Sequence, residues 1–89
     1  MDKGEVGDVY VDYRSFSDTT PFRLQNNEYK IEQITIYVDG TLVYIGSHSR
    51  QSYPLATGNS LTLRNIDLAD LYFKGDGNAE KLYVIGTTK

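Results

Sequence analysis

The chain reads as all-β, a small antiparallel β-sandwich or barrel of six to eight short strands. Three observations predict this class. Apolar and aromatic residues alternate with polar ones at period two over short segments. Clusters of Gly, Pro, Asn, Asp and Ser separate those segments at close spacing. The stretch Gln33–Gly46, QITIYVDGTLVYIG, reads as a β-hairpin closed by Asp39-Gly40, a dipeptide suited to a two-residue type I′ turn.

That turn would set the register of the hairpin. Val38 would face Thr41, Ile36 would face Val43 and Ile34 would face Ile45, all on one core face. The opposite face would pair Tyr37 with Leu42 and Thr35 with Tyr44. A sheet wetted on one side alternates apolar with polar residues. This hairpin does not, so its second face is expected to be covered by the same chain or by another.

The remaining elements follow in order. Residues 1–7 hold three charges and two glycines without periodicity and read as a mobile N-terminal arm. Asp8 to Tyr13 alternates as a strand, with Val9 and Val11 inward and Tyr10 on the other side. Ser15 to Pro21 is loop-like, Phe22 to Leu24 a short strand and Gln25-Asn26-Asn27 a turn. From Tyr29 to Val38 the apolar phase slips between Ile31 and Ile34, which a β-bulge near Glu32-Gln33 reconciles. Ser47 to Ser52 reads as a loop, and Tyr53-Pro54-Leu55 as extended because a residue before proline avoids the helical region. Thr57-Gly58-Asn59 turns the chain into a strand from Ser60 to Arg64, with Leu61 and Leu63 inward. Asp67 to Asp70 can form one helical turn capped by Asn65 or Asp67. Leu71 to Phe73 and Leu82 to Ile85 are strands around the loop Lys74 to Glu80, and residues 87–89 are a tail. One β-domain over 8–86 follows. Its expected core is Val9, Val11, Ile34, Ile36, Val38, Val43, Ile45, Leu61, Leu63, Leu71, Phe73, Leu82 and Val84.

Composition bounds the function. A chain of 89 residues is one small domain, which buries roughly 60–65% of the surface of its unfolded form. It has no cysteine, hence no disulfide and no thiolate metal site. Small chains without such staples gain stability by assembling. The net charge of −3 argues against nucleic-acid and anionic-membrane partners, which both require a positive field. No stretch is apolar enough to cross a membrane as a helix, and Met-Asp-Lys-Gly-Glu does not resemble a signal peptide, so a soluble cytoplasmic product is expected. Tyrosine is the main aromatic, at eight residues against three Phe and no Trp. It suits half-buried sheet faces and interfaces, where its ring is covered and its hydroxyl stays wet.

Candidate chemistry is sparse. His48 is the single histidine, between Ser47 and Ser49. Neighbours on one loop rarely meet the geometry of a nucleophile and its base, so an exposed loop histidine is expected. Asp76, Asn78 and Glu80 have the spacing of calcium-loop ligands but lack the remaining ligands and the distal glutamate; a polar hairpin loop is the simpler reading. Gly75-x-Gly77 precedes a strand instead of a helix, which removes the phosphate-cradle reading. No catalytic residue, metal ligand or cofactor is expected, and the chain is expected not to be an enzyme.

The C-terminal half carries a resemblance. Ile45-Gly46, Tyr53-Pro54-Leu55, Gly58, Ser60-Leu61-Thr62-Leu63, Asp67-Leu68, Asp70-Leu71-Tyr72 and Leu82-Tyr83-Val84-Ile85-Gly86 occur in an order that resembles small β-sandwich virion structural proteins of tailed bacteriophages. The resemblance implies a capsid decoration or head auxiliary protein that acts by binding, with the major capsid protein or other virion proteins as partners, and with a homo-oligomeric state. It implies no catalytic residues. Tyr37, Leu42, Tyr44, Thr35 and Tyr10 are the expected contact residues. A carbohydrate- or receptor-binding module and a small cytoplasmic regulator are the alternatives.

Overall fold

A computed structural model describes residues 7–89; the expected arm falls on residues 1–6, outside the described residues, and on Gly7. Eight strands are present among them: β1 (Val9–Phe16), β2 (Phe22–Arg23), β3 (Lys30–Asp39), β4 (Leu42–Ser47), β5 (Arg50–Ala56), β6 (Ser60–Asp67), β7 (Tyr72–Gly75) and β8 (Glu80–Thr88). They form two antiparallel four-stranded sheets, β1-β8-β3-β6 and β2-β7-β4-β5. The all-β, two-sheet class expected from the period-two alternation is what forms.

The pairings are nested. β4 pairs with β5, β3 with β6, β2 with β7 and β1 with β8. The chain is thus one long antiparallel ribbon folded over on itself, and β3·β8 and β4·β7 contacts join its turns into two sheets. This is the jelly-roll arrangement.

The hairpin expected over Gln33–Gly46 does not form. β3 and β4 lie in different sheets, and Asp39-Gly40-Thr41 carries the chain across the sandwich. The apolar residues of both strands are buried because they face each other across the core instead of sharing a sheet face: Ile34, Ile36 and Val38 from β3, Val43 and Ile45 from β4. Gly40 does not take a positive φ; among the described residues, Gly58 and Gly77 are the glycines that do. What Gly40 supplies is room, since a Cβ there would sit 2.5 Å from Glu80 Oε1 and 2.8 Å from the Ala79 carbonyl oxygen.

Glu80 explains why the corner holds. Its side chain is 1% exposed, and burial of a carboxyl is costly unless its oxygens are hydrogen-bonded. Oε1 accepts the Thr41 N–H at 2.8 Å, and Oε2 accepts the Leu42 N–H at 3.3 Å and the Thr41 hydroxyl. The Thr41 N–H, which a hairpin would have paired with Val38, and the Leu42 N–H are both satisfied by a side chain from β8.

The hairpin that does form is β4–β5, turning at His48-Ser49 within the segment expected to be a loop. Gly46 is required there, because a Cβ would lie on the Arg50 carbonyl. Pro54 sits in β5, an edge strand, where a missing N–H is tolerated.

In β1 the phase is opposite to the expected one. Val9 and Val11 are each 68% exposed, whereas Tyr10 is 7% exposed. The inward positions are Tyr10, Asp12, Arg14 and Phe16. Tyr10 packs on Tyr29 at 5.2 Å between ring centroids and Phe16 on Phe22 at 4.8 Å. An aromatic ring buries more area than a valine, so two rings decide which way the strand faces. Asp12 and Arg14 remain at the margin, paired with each other at 3.2 Å, and Arg14 also donates to the Leu24 carbonyl.

The rest of the expected core is buried, with Leu61 and Leu63 half-buried at its edge; Leu24, Ile31, Leu55 and Leu68 join it. A register shift between Ile31 and Gln33 is the expected bulge, and it turns both Ile31 and Ile34 inward. The helical turn is a 3₁₀ turn, Leu68–Asp70, capped by Asp67, whose Oδ1 accepts both the Ala69 and the Tyr29 N–H at 2.9 Å. The expected tail is mostly strand: β8 reaches Thr88, and Thr87 pairs with both Val9 and Gln33.

Candidate functional site: the outer face of the first sheet

Strand alternation places Val9, Val11, Tyr13 and Ser15 of β1 on the outer face of the first sheet. Lys81, Tyr83, Ile85 and Thr87 of β8 share that face with Gln33, Thr35, Tyr37 and Asp39 of β3. The register aligns them in rows across the strands. Tyr13 is opposite Tyr83, and Tyr83 opposite Tyr37; Val11 is opposite Ile85, and Ile85 opposite Thr35. The three tyrosines form a ridge, with centroids 5.1 Å apart for Tyr13–Tyr83 and 6.2 Å for Tyr37–Tyr83. Cross-strand aromatic neighbours of this kind stabilise a sheet by about 0.2–1 kcal/mol per pair.

Val9, Val11, Tyr13, Tyr37, Tyr83 and Ile85 are between 41% and 68% exposed, although all are large and apolar. Beside the ridge lies a shallow hollow of about 230 Å³ between Val9, Gln33, Thr35, Ile85 and Thr87. The charges are at the ends of the face. Lys81 is opposite Asp39 beyond the ridge, and Arg64 of β6 donates to Gln33 Oε1 at 2.8 Å beyond the hollow. Scattered apolar residues are ordinary on a surface; these six are contiguous on one sheet face, which makes that face the candidate binding surface.

The expected contact residues are dispersed. Tyr37 and Thr35 lie on this face. Leu42 and Tyr44 lie on the outer face of the second sheet, half-buried, because β4 is not a neighbour of β3. There Lys74 Nζ stands 5.6 Å over the Tyr44 ring and the Arg23 guanidinium 5.4 Å over the Tyr72 ring, so cations cover those tyrosines. Tyr10 is in the core. Its hydroxyl donates to Asp12 Oδ2 at 3.0 Å, and burial, the largest influence on it, pushes its phenol up. Tyr13, Tyr83, Val9, Val11 and Ile85 are the members of the face that were not expected. The signal for Tyr83 and Ile85 was their alternation against Leu82 and Val84.

No other cluster competes. Among the described residues, no group of three or more His, Cys, Asp or Glu side chains is placed to hold a metal. Asp76 is engaged within its own turn and with the corner: Oδ1 accepts the Asn78 N–H at 3.0 Å, and Oδ2 lies 2.9 Å from the Thr41 hydroxyl oxygen, whose proton goes to Glu80. A hydrogen bond with Glu80, followed by that from the Asn78 N–H, holds its carboxyl well below the usual carboxylate range. His48 is exposed at the β4–β5 turn, its ring edge-on to Tyr72 at 5.4 Å. An apolar groove of about 310 Å³ opens between the free edges of β5 and β6, lined by Ile45, Tyr53, Leu61, Leu63 and Leu71.

No family model and no curated protein matches the chain. Solved structures do. The fold is similar to that of a cupin superfamily protein from Desulfitobacterium hafniense, with a TM-score of 0.67 and 16% identity over 91% of this chain and 68% of that one. It is similar to an RmlC-like cupin family protein with a double-stranded β-helix fold from Methanocaldococcus jannaschii, with a TM-score of 0.67 and 6% identity over 90% and 70% of the two chains. A de novo designed double-stranded β-helix gives a TM-score of 0.56 at 10% identity, over 88% of this chain and 97% of that one. At such identities the likeness is one of architecture: the chain has the double-stranded β-helix, or jelly-roll, fold.

Proposed function

We propose that this chain is a virion structural protein, a capsid decoration or head auxiliary subunit, and that it acts by binding through the outer face of its first sheet. The observation that carries the binding role is the contiguous exposed patch of Val9, Val11, Tyr13, Tyr37, Tyr83 and Ile85 on one flat sheet. Half-exposed tyrosines on a rigid sheet are favoured anchors for a protein partner, because they bury much area for little loss of conformational freedom. The virion assignment is supported by the resemblance of the C-terminal half to phage structural proteins and by the jelly roll itself, an architecture used by viral capsid subunits among other proteins.

Mass spectrometry of purified virions from an infection that expresses the chain tests the assignment; its absence from the particles would refute it. Co-sedimentation of the pure protein with particles that lack it tests the surface. Tyr83→Ser and Val11→Ser are expected to abolish binding and Tyr44→Ser to leave it intact. A saccharide platform is disfavoured by the ridge, whose neighbouring rings are tilted by 43–44° instead of lying in one plane.

A further inference from the structure

We infer that the occupant of this face is a second copy of the chain, seated with its tyrosine ridge in the hollow of the first. The inference rests on the reading of this face as a binding surface and adds the partner's identity: copies joined there bind the particle as a pair, so that loss of the pair loses the doubled attachment.

Area is the first argument. At their observed exposures the six apolar side chains offer roughly 450 Å² of apolar surface, counting about 200 Å² for a tyrosine ring and about 100 Å² for an aliphatic chain. A stable interface takes about 800 Å² from each partner, a little over half of it apolar. The patch with its polar margin is therefore the right size for one standard interface.

Shape is the second argument. A two-fold axis lying across the strands, between the Tyr13–Tyr83–Tyr37 row and the Val11–Ile85–Thr35 row, exchanges the two rows between copies. Tyr83 of one copy then meets Ile85 of the other, and the ridge projects towards the hollow bordered by Val9, Gln33, Thr35 and Thr87. A two-fold contact requires a surface that complements itself, and a ridge beside a hollow does so.

Charge is the third argument. The chain carries a net charge of −3, which disfavours self-contact over most of its surface. This face is different. Its charges are of both signs: Asp39 and Lys81 at one end, and Arg64 with the exposed Glu32 of the bulge at the other. The same axis places the Asp39 end of one copy over the Gln33–Arg64 end of the other, so Asp39 approaches the opposite copy's Arg64 twice in the pair.

Sedimentation equilibrium of the wild-type chain is expected to give a dimer at about 100 µM or below. Tyr83→Ser is expected to give a monomer that is still folded, with a modestly lower urea midpoint because its two cross-strand ring contacts are lost. Asp39→Arg and Arg64→Asp each bring like charges together and are expected to weaken the dimer about tenfold or more, and the double swap to restore it. A wild-type chain that is monomeric at about 100 µM overturns the inference. So does a dimer unaffected by Tyr83→Ser, or one that the double swap fails to restore. A monomer that still binds particles, and loses that binding on Tyr83→Ser, overturns the second copy but leaves the face as the binding surface. Particle binding that ignores Tyr83→Ser, in a chain that is monomeric with and without the substitution, refutes the surface itself.

Discussion

Glu80 and Thr41 are joined across the sandwich: the Glu80 carboxylate accepts both the backbone N–H and the hydroxyl of Thr41, 39 residues away in sequence. This contact takes the place of the hairpin bonds that Asp39-Gly40 would otherwise make. It directs β4 into the opposite sheet from β3. Removal of the carboxylate leaves the Thr41 and Leu42 N–H groups without partners.

Glu80→Ala is therefore expected to destabilise the fold by about 1–3 kcal/mol, the cost of leaving the part-buried Thr41 and Leu42 donors unpaired. Glu80→Gln keeps one acceptor oxygen and should lose less. Urea unfolding followed by circular dichroism measures both, and equal midpoints for Glu80→Ala and wild type would remove the capping role.

Gly40 and Gly58 separate two reasons for glycine. Gly58 has a φ of +82° with nothing near its Cβ position, so Gly58→Ala should cost about 1–2 kcal/mol of backbone strain. Gly40→Ala has no such strain but clashes with Glu80 Oε1 and with the Ala79 carbonyl oxygen, at a cost of about 1–3 kcal/mol of which Glu80→Ala relieves only the first part. Combined with Glu80→Ala, the Gly40→Ala cost should shrink while that of Gly58→Ala adds independently, which a double-mutant cycle reads directly.

The phase of β1 is testable by one pair of substitutions. Tyr10→Ala should cost about 3–5 kcal/mol, as for other buried aromatics. Val11→Ser should change the stability of the monomer by no more than about 0.5 kcal/mol. The reverse ranking in chemical denaturation would restore the valines to the core.

Acid should weaken the fold. Asp76, Asp67 and Asp12 all have folded pKa values below the ordinary carboxylate range. For Asp67 the causes are the Tyr29 and Ala69 N–H groups. For Asp12 burial pushes upward, but hydrogen bonds from Arg14, the Tyr13 N–H and Tyr10 outweigh it. A carboxylate with a lowered folded pKa stabilises above its unfolded value of about 3.9, and the contribution is lost as pH falls through the folded value. Urea midpoints should therefore hold near neutrality and decline below about pH 4. Asp67→Asn should flatten that decline. The raised phenol of Tyr10 acts at the other extreme, with stability present below about pH 10 and lost as pH rises through its folded value.

Much of this fold was legible from local pattern. Ile34, Ile36, Val38, Val43 and Ile45 were readable as core, the slip at Glu32-Gln33 as a bulge, and Asp67 as a cap, because each depends on neighbours within a few residues. The corner was not. Asp39-Gly40 reports a change of direction but not whether the next strand returns to the same sheet, and Glu80, which decides that, is far away in sequence. β1 failed for another reason. Its segment VYVDYRSF alternates equally well in either phase, and the choice depends on Tyr29 and Phe22, which stack on Tyr10 and Phe16. Both errors propagated to the site. Once β3 and β4 belong to different sheets, Tyr44 and Leu42 cannot accompany Tyr37, and once β1 turns over, Val9, Val11 and Tyr13 can.

The nested ribbon also has a consequence for how the chain finds its fold. Its outermost partners, Val9 and Thr87, are nearly a whole chain length apart, and pairs so distant ordinarily make a slow search. The β4–β5 turn at His48-Ser49 closes over only two residues and is expected to form first, so that each pair brings the next within a short loop of closing. Loop-closure entropy is then lost in small successive steps from the middle outward, as in a zipper, and the two ends of the ribbon meet last.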